Sequence, residues 1–180
     1  AELIHAALDQ GITLFDHADI YAFGKSELAF GQILKESPGL RDKMVIQSKC
    51  GHTFREGWKS GDPVGIDLSG SHIVNSVAGI LSRLQTDRVD VLLLHIPSAL
   101  IKPDEVAHAF DQLHQSGKVR YFGVSNFNAT QTHLLKKVVR QPIIANQIAL
   151  GLENSDPMID GMEVALEVVK GALSGYARYM

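Results

Sequence analysis

At 180 residues with 45% hydrophobic content, the chain is long enough to bury one sizeable core and too short for two comfortable domains. Its 17 basic and 20 acidic side chains are scattered, and the formal net charge of -3 leaves no polybasic stripe for nucleic acid or an anionic membrane surface. One cysteine, Cys50, excludes an internal disulfide, no Cys/His set has zinc-ligand spacing, and neither a signal-peptide layout nor an apolar run near the ~18 residues of a membrane span is present, so a soluble, cytoplasmic protein is expected.

The predicted elements alternate between helix and strand. Glu2 to Gln10 reads as the tail of an amphipathic helix, with Leu3, Ala6 and Ala7 on one face and Gly11 at its stop. Ile12 to Phe15 reads as a strand. Ser26 is the expected cap of a helix through Leu34, which Pro38-Gly39 closes, and Met44 to Ser48 is the next strand. The glycine-rich stretch from Gly51 to Gly70 reads as a long irregular loop carrying the only tryptophan, Trp58. Ser71 opens a helix through Leu84, and Asp90 to Leu94 is an almost purely apolar strand, as burial on both faces requires.

Pro103 suits the first turn of a helix that ends at Gly117. Val119 to Val124 follows as a strand, Asn128 or Thr130 opens a helix through Val139, Ile143 to Asn146 is a strand, and a last helical pattern spans about Met158 to Val169. Strands recur roughly every 24 to 46 residues, the spacing of parallel βαβ units rather than hairpins, so the class is α/β. Periodicity leaves an open doubly wound sheet and a closed barrel both available. No G-x-G-x-x-G follows any strand, which argues against a dinucleotide fold of the usual kind.

Parallel sheets carry function at the carboxyl ends of their strands, and four polar residues stand where apolar runs stop. Asp16 and Tyr21 follow the first run, Lys49 the second, and His95 follows Val91-Leu92-Leu93-Leu94. An acid, a phenol, an amine and an imidazole at one rim can converge on one pocket. Taken singly, each has a bland alternative. Asp16 suits a turn or cap, Lys49 a solvated strand end, His95 a core histidine, and Ser125-Asn126 the cap of the next helix. Cys50 reads as a packed small hydrophobe, and the other histidines, among them His17 and His52, as ordinary structural residues.

The run Phe15-Asp16-His17-Ala18-Asp19-Ile20-Tyr21 resembles the aspartate-to-tyrosine signature of the aldo-keto reductases. Ile46-Gln47-Ser48-Lys49-Cys50, Asp90 to His95, and Gly117 to Phe127 resemble that family's later motifs, in order, and the likeness covers about residues 1–155. The resemblance implies a (β/α)8 TIM barrel, of which strands two to six are recognisable and the first, seventh and eighth are not. Residues 1–180 are therefore expected to form a single barrel domain that is partial, a fragment beginning at Ala1 rather than a methionine.

The same resemblance implies NAD(P)H-dependent reduction of an aldehyde or ketone, with a small carbonyl compound as the partner and no metal. Tyr21 is the expected proton donor, Lys49 the ammonium that favours its phenolate, Asp16 the counter-ion of Lys49, and His95 the residue that orients the substrate oxygen. Asp16, Ser125, Asn126 and Gln147 are the expected cofactor contacts, the last three matching positions that hold the nicotinamide carboxamide. NADP(H) is the family expectation and NAD(H) the alternative. The rival function is a non-catalytic relative that binds a cofactor or a partner, or an inactive fragment.

Overall fold

A computed structural model describes residues 2–54, 59 and 62–149 of the chain. Helix α1 (Glu2–Asp9) leads through Gly11, at φ 77°, into strand β1 (Leu14–Asp16). A 3-10 turn (Tyr21–Gly24) and α2 (Lys25–Glu36) follow, then a second 3-10 segment (Pro38–Lys43) and β2 (Val45–Cys50). A short antiparallel hairpin, β3 (His52–Thr53) and β4 (Gly65–Ile66), precedes α3 (Gly70–Leu84) and β5 (Val89–Leu94). Helix α4 (Pro103–Gln115), β6 (Val119–Ser125), α5 (Ala129–Lys136) and β7 (Ile143–Gln147) complete the described chain.

All five predicted strands are present and parallel, in the order β1-β2-β5-β6-β7. The sheet is curled. Flat, four strand spacings of about 4.8 Å would put the outer strands about 19 Å apart, yet Gln147 Nε2 on β7 donates to Asp16 Oδ2 on β1 at 3.1 Å. The five strands form part of a barrel wall whose carboxyl ends face one another across its mouth.

Helices cover the outer face because β-strand alternation sends Ile46, Leu92, Leu94, Phe122 and Val124 outward, each fully buried. Each contributes about 1.5–3 kcal/mol of transfer free energy. Phe110 of α4 stacks on Phe122 of β6 with ring centroids 4.0 Å apart. Helices α2 and α3 cross closely at Gly31, where a Cβ would meet Arg83 O and lie 2.7–2.8 Å from the Leu84 backbone.

Some local expectations are corrected. The α1 face turned inward carries Ile4, while Leu3 is 86% exposed. Ser26 does not cap α2. The cap position is Gly24 in the left-handed region at φ 79°, which an L side chain resists, and no side-chain cap bond is made there. Helix α3 begins one residue earlier than expected because Ser69, not Ser71, accepts the His72 N–H. Asn128 rather than Thr130 caps α5, in a capping box with Gln131, and α5 stops at Lys136, short of Val139. The expected irregular loop from Gly51 to Gly70 contains the β3–β4 hairpin. Trp58 and the helical pattern at 158–169 lie outside the described residues. Among those residues no helix is long and apolar enough to cross a membrane.

Candidate active site

Period-two alternation sends Asp16, Gln47 and Lys49 to the inner face while their neighbours face the helices. Asp16 is the last residue of β1, Lys49 the penultimate residue of β2, and His95 follows the last residue of β5, its N–H donating to Cys50 O at 2.8 Å. Tyr21 reaches the same rim from the 3-10 turn. Ala22 and Phe23 there have φ of 48° and 56°, and left-handed backbone costs an L-residue about 1–2 kcal/mol. The turn that presents Tyr21 is therefore strained.

Lys49 is the hub. Its Nζ donates to both Asp16 carboxylate oxygens at 2.8 and 2.7 Å, to His17 O at 3.0 Å, and to Tyr21 Oη at 3.1 Å. It also lies 4.7 Å from the Tyr21 ring centroid. The Lys49 side chain is 1% exposed and its counter-ion Asp16 is 32% exposed, so the ammonium depends on protein partners and the carboxylate still meets water. Partial burial pushes the Asp16 carboxyl up. Hydrogen bonds from Lys49, Gln47 and Gln147, with the Lys49 charge, outweigh it and leave the group below its ordinary range.

His95 stands edge-on to Tyr21, ring centroids 6.0 Å apart at 81°. Burial, reinforced by His52 and Lys49 and opposed by Asp16, lowers its pKa to about 4, so the ring is neutral at pH 7. The expected carboxamide contacts lie beside this cluster, at the ends of β6 and β7. Ser125 Oγ donates to Gln147 O at 2.9 Å, Asn126 Nδ2 donates to His95 O at 3.0 Å, and Gln147 Nε2 donates to Asp16 Oδ2 at 3.1 Å. Asn126 adopts φ 61°, a left-handed conformation that asparagine tolerates better than most residues. All seven predicted site residues thus gather at one end of the sheet.

Three neighbours escaped the sequence reading. Gln47 Nε2 donates to Asp16 Oδ1 at 2.7 Å, and its place two residues before Lys49 on the same strand face was the signal that could have found it. Asp19, whose N–H donates to Lys49 O at 3.1 Å, keeps Oδ1 buried with no hydrogen-bond partner. Burial and the charge of Glu27 raise its pKa to about 7 against the pull of Arg83. Fully buried Glu27 accepts from Ser48 Oγ and Arg83 Nε, both at 2.7 Å. The third is His52, set aside as structural, whose ring meets that of His95 at 4.5 Å; it lies on a hairpin that glycine content concealed. Cys50 is a buried small hydrophobe, its thiol pushed up by burial and by Asp19. Among the described residues no acid, cysteine and histidine cluster could hold a metal ion.

A buried ammonium bonded to a carboxylate and a half-exposed phenol, beside a neutral imidazole, can donate a proton to an oxygen that gains negative charge and can stabilise the phenolate left behind. An Escherichia coli oxidoreductase is 44% identical over 160 residues, covering 88% of this chain and 53% of its own. A glycerol dehydrogenase from Gluconobacter oxydans superposes with a TM-score of 0.77 at 34% identity, over 87% of this chain and 46% of that one. An aldo-keto reductase from Klebsiella pneumoniae, solved with NADPH, gives a TM-score of 0.69 at 27% identity, over 96% of this chain and 52% of that one. The chain spans about half the length of the curated relatives it matches. The aldo/keto reductase family model matches residues 1–157, and with these likenesses it shows that the chain belongs to that family.

Proposed function

We propose that the protein is an NADP(H)-dependent reductase of a small aldehyde or ketone, with Tyr21 as proton donor. The observation that carries this reading is the contact of Lys49 Nζ with Tyr21 Oη at 3.1 Å while the same nitrogen is ion-paired with Asp16 at 2.7 Å. When bound, the nicotinamide supplies hydride to the carbonyl carbon. Ser125, Asn126 and Gln147 are the residues that would hold its carboxamide. Their amides and hydroxyl offer donors and acceptors of the kind an amide needs, and they lie beside Asp16, Lys49 and His95. The Klebsiella pneumoniae relative solved with NADPH supports NADP(H) as the cofactor.

In this reading Tyr21 gives its phenolic proton to the substrate oxygen as that oxygen gains charge. Lys49 stabilises the phenolate that remains. Asp16 and His17 O fix the ammonium in place, so no reorganisation is needed as charge moves. Neutral His95 offers a ring N–H to the substrate oxygen without adding a competing charge. General acid catalysis of this kind is worth about 10²–10⁴-fold.

The test is a titration of NADPH by fluorescence on protein from the complete reading frame, followed by turnover of a panel of aldehydes and ketones. Saturable binding with oxidation of NADPH by at least one carbonyl supports the reading. Binding without oxidation by any of them refutes it and favours a purely ligand-binding relative.

A further inference from the structure

Asp19 lies in sequence between Asp16 and Tyr21, and the mechanism above gives it no part. Its N–H donates to Lys49 O at 3.1 Å, so its backbone is pinned to the strand that carries the ammonium. The Tyr21 N–H in turn donates to Ala18 O at 3.1 Å, and the Phe23 N–H to Ile20 O at 2.9 Å. The turn built on these bonds holds Ala22 and Phe23 in left-handed backbone, a conformation that persists only where the surroundings over-determine it. A disturbance at the Asp19 end of the turn is therefore passed to the phenol.

The Asp19 carboxyl belongs to a buried cluster behind the rim. Fully buried Glu27 of α2 accepts from Ser48 Oγ of β2 and from Arg83 Nε of α3, both at 2.7 Å, so each of its oxygens is taken and the Arg83 charge is already paired. Arg83 also packs on Gly24 at the end of the Tyr21 turn, where a Cβ would come within 2.8 Å of its Cδ. Asp19 Oδ1 is buried with no hydrogen-bond partner. The groups that face Asp19 are Glu27 on α2, Arg83 on α3 and the Cys50 thiol on β2, while His17, on its own segment, faces Glu27, Asp16 and Lys49. Burial first, then the Glu27 charge, raises the Asp19 pKa to about 7 against Arg83 and the nearby backbone N–H groups. A neutral carboxyl suits this place. A carboxylate there is a second negative charge beside Glu27 with no partner of its own, which is costly away from water.

We propose that Asp19 is a positioning residue for the reduction: protonated, it holds the Tyr21 turn against the Lys49 strand, and loss of its proton releases the turn and draws Tyr21 Oη away from Lys49 Nζ. A carboxylate at Asp19 reaches water only if residues 18–21 move outward, and a turn already strained at Ala22 and Phe23 is the part of the site that yields. The held turn favours the proton on Asp19, so by reciprocity the proton favours the held turn. Asp19 acts through Tyr21 and touches neither substrate nor cofactor. Its kinetic consequence rests on the reductase reading; the movement of Tyr21 does not.

The test compares the parent with Asp19→Asn, which keeps the shape of the side chain and cannot ionise, in protein from the complete reading frame. A single ionisation centred near pH 7 leaves about 90% of the acid protonated at pH 6 and about 10% at pH 8. The parent's kcat for a reducible carbonyl therefore falls about tenfold over that range, while its Kd for NADPH stays within about twofold. Asp19→Asn keeps its pH 6 kcat to pH 8. A side chain that only supported the fold would change kcat by one factor at every pH. The movement is read without turnover by NMR on isotope-labelled tyrosine. The Tyr21 Cζ resonance, assigned by its loss in Tyr21→Phe, moves with a midpoint near pH 7 in the parent and not in Asp19→Asn. His17, His52 and His95, all lowered by burial, titrate below that midpoint. The same pH dependence of kcat in both proteins overturns the positioning role and leaves the reductase reading standing. A Tyr21 resonance that stays still from pH 6 to 8 in the parent also overturns it, whatever the behaviour of Asp19→Asn. Protein that reduces no carbonyl, yet shows the Tyr21 step in the parent alone, supports the positioning role and counts against the reductase reading.

Discussion

Replacing Asp19 by Asn removes an acid whose pKa folding raises to about 7. Its carboxyl faces the buried Glu27 charge, Arg83 on α3 and the Cys50 thiol, and Oδ1 has no hydrogen-bond partner. Burial first, then Glu27, raises the pKa from 3.8 to about 7. The sign follows from proton binding. Below about pH 4 the folded and unfolded chains are both protonated at Asp19, and the group has no effect on stability. Between about pH 4 and 7 the unfolded chain ionises while the folded chain does not, so stability is lost as pH rises, and the loss levels off above the folded pKa. At 1.36 kcal/mol per pH unit, the difference of about three units gives up to about 4 kcal/mol, and about 2–4 after allowance for partial water access. Asn cannot ionise. Urea unfolding of both proteins at pH 5, 6, 7 and 8 should show Asp19→Asn gaining on the parent throughout, to about 2–4 kcal/mol at pH 8. His17, His52 and His95, all lowered by burial, tilt stability the other way as pH falls below 6.5, but they are common to both proteins and cancel in the difference. A stability difference that is constant from pH 5 to 8 would mean that Asp19 titrates alike in the folded and unfolded chains.

The remaining predictions use the same geometry. Lys49→Met leaves Asp16 with Gln47, Gln147 and water, so it should shift the urea midpoint by less than the equivalent of about 1 kcal/mol, whereas Asp16→Asn leaves a buried ammonium without its counter-ion and should cost about 2–3 kcal/mol. The opposite ranking contradicts the ion-pair account. Gly31→Ala forces a methyl against the Arg83 and Leu84 backbone, should cost about 1–3 kcal/mol and lower Tm by about 3 °C or more, and an unchanged Tm means the helices do not cross there as described.

The strands were legible because each is a short apolar run ending in a polar residue, and parallel burial leaves no other pattern for Val89–Leu94. Curvature was not legible from periodicity, which permits a flat sheet equally well. It came only from the family resemblance, and in the structure the Gln147 to Asp16 bond between the outer strands reports it. Asp16, Tyr21, Lys49 and His95 were found as strand-end residues, but their joint contact depends on strand order, which one chain read alone leaves open. His52 was missed because Gly51, Gly61 and Gly65 make the segment read as loop, and a hairpin of two residues per strand carries no alternation to detect. Asp19 looked like one more polar residue of a turn. Its buried oxygen and its nearness to Glu27 arise only when α2 folds back on β2. Ser26 failed as a cap because the strained Tyr21 turn ends at Gly24, and that left-handed residue starts α2 before the serine is reached.

In the proposed reaction Tyr21 delivers a proton beside the Lys49 ammonium. The measurement closest to it is kcat for a reducible carbonyl and Kd for NADPH, taken together on Tyr21→Phe and the parent. Tyr21→Phe should lower kcat by about 10²–10⁴-fold with NADPH affinity held within about twofold. Turnover by Tyr21→Phe at the parent rate contradicts it.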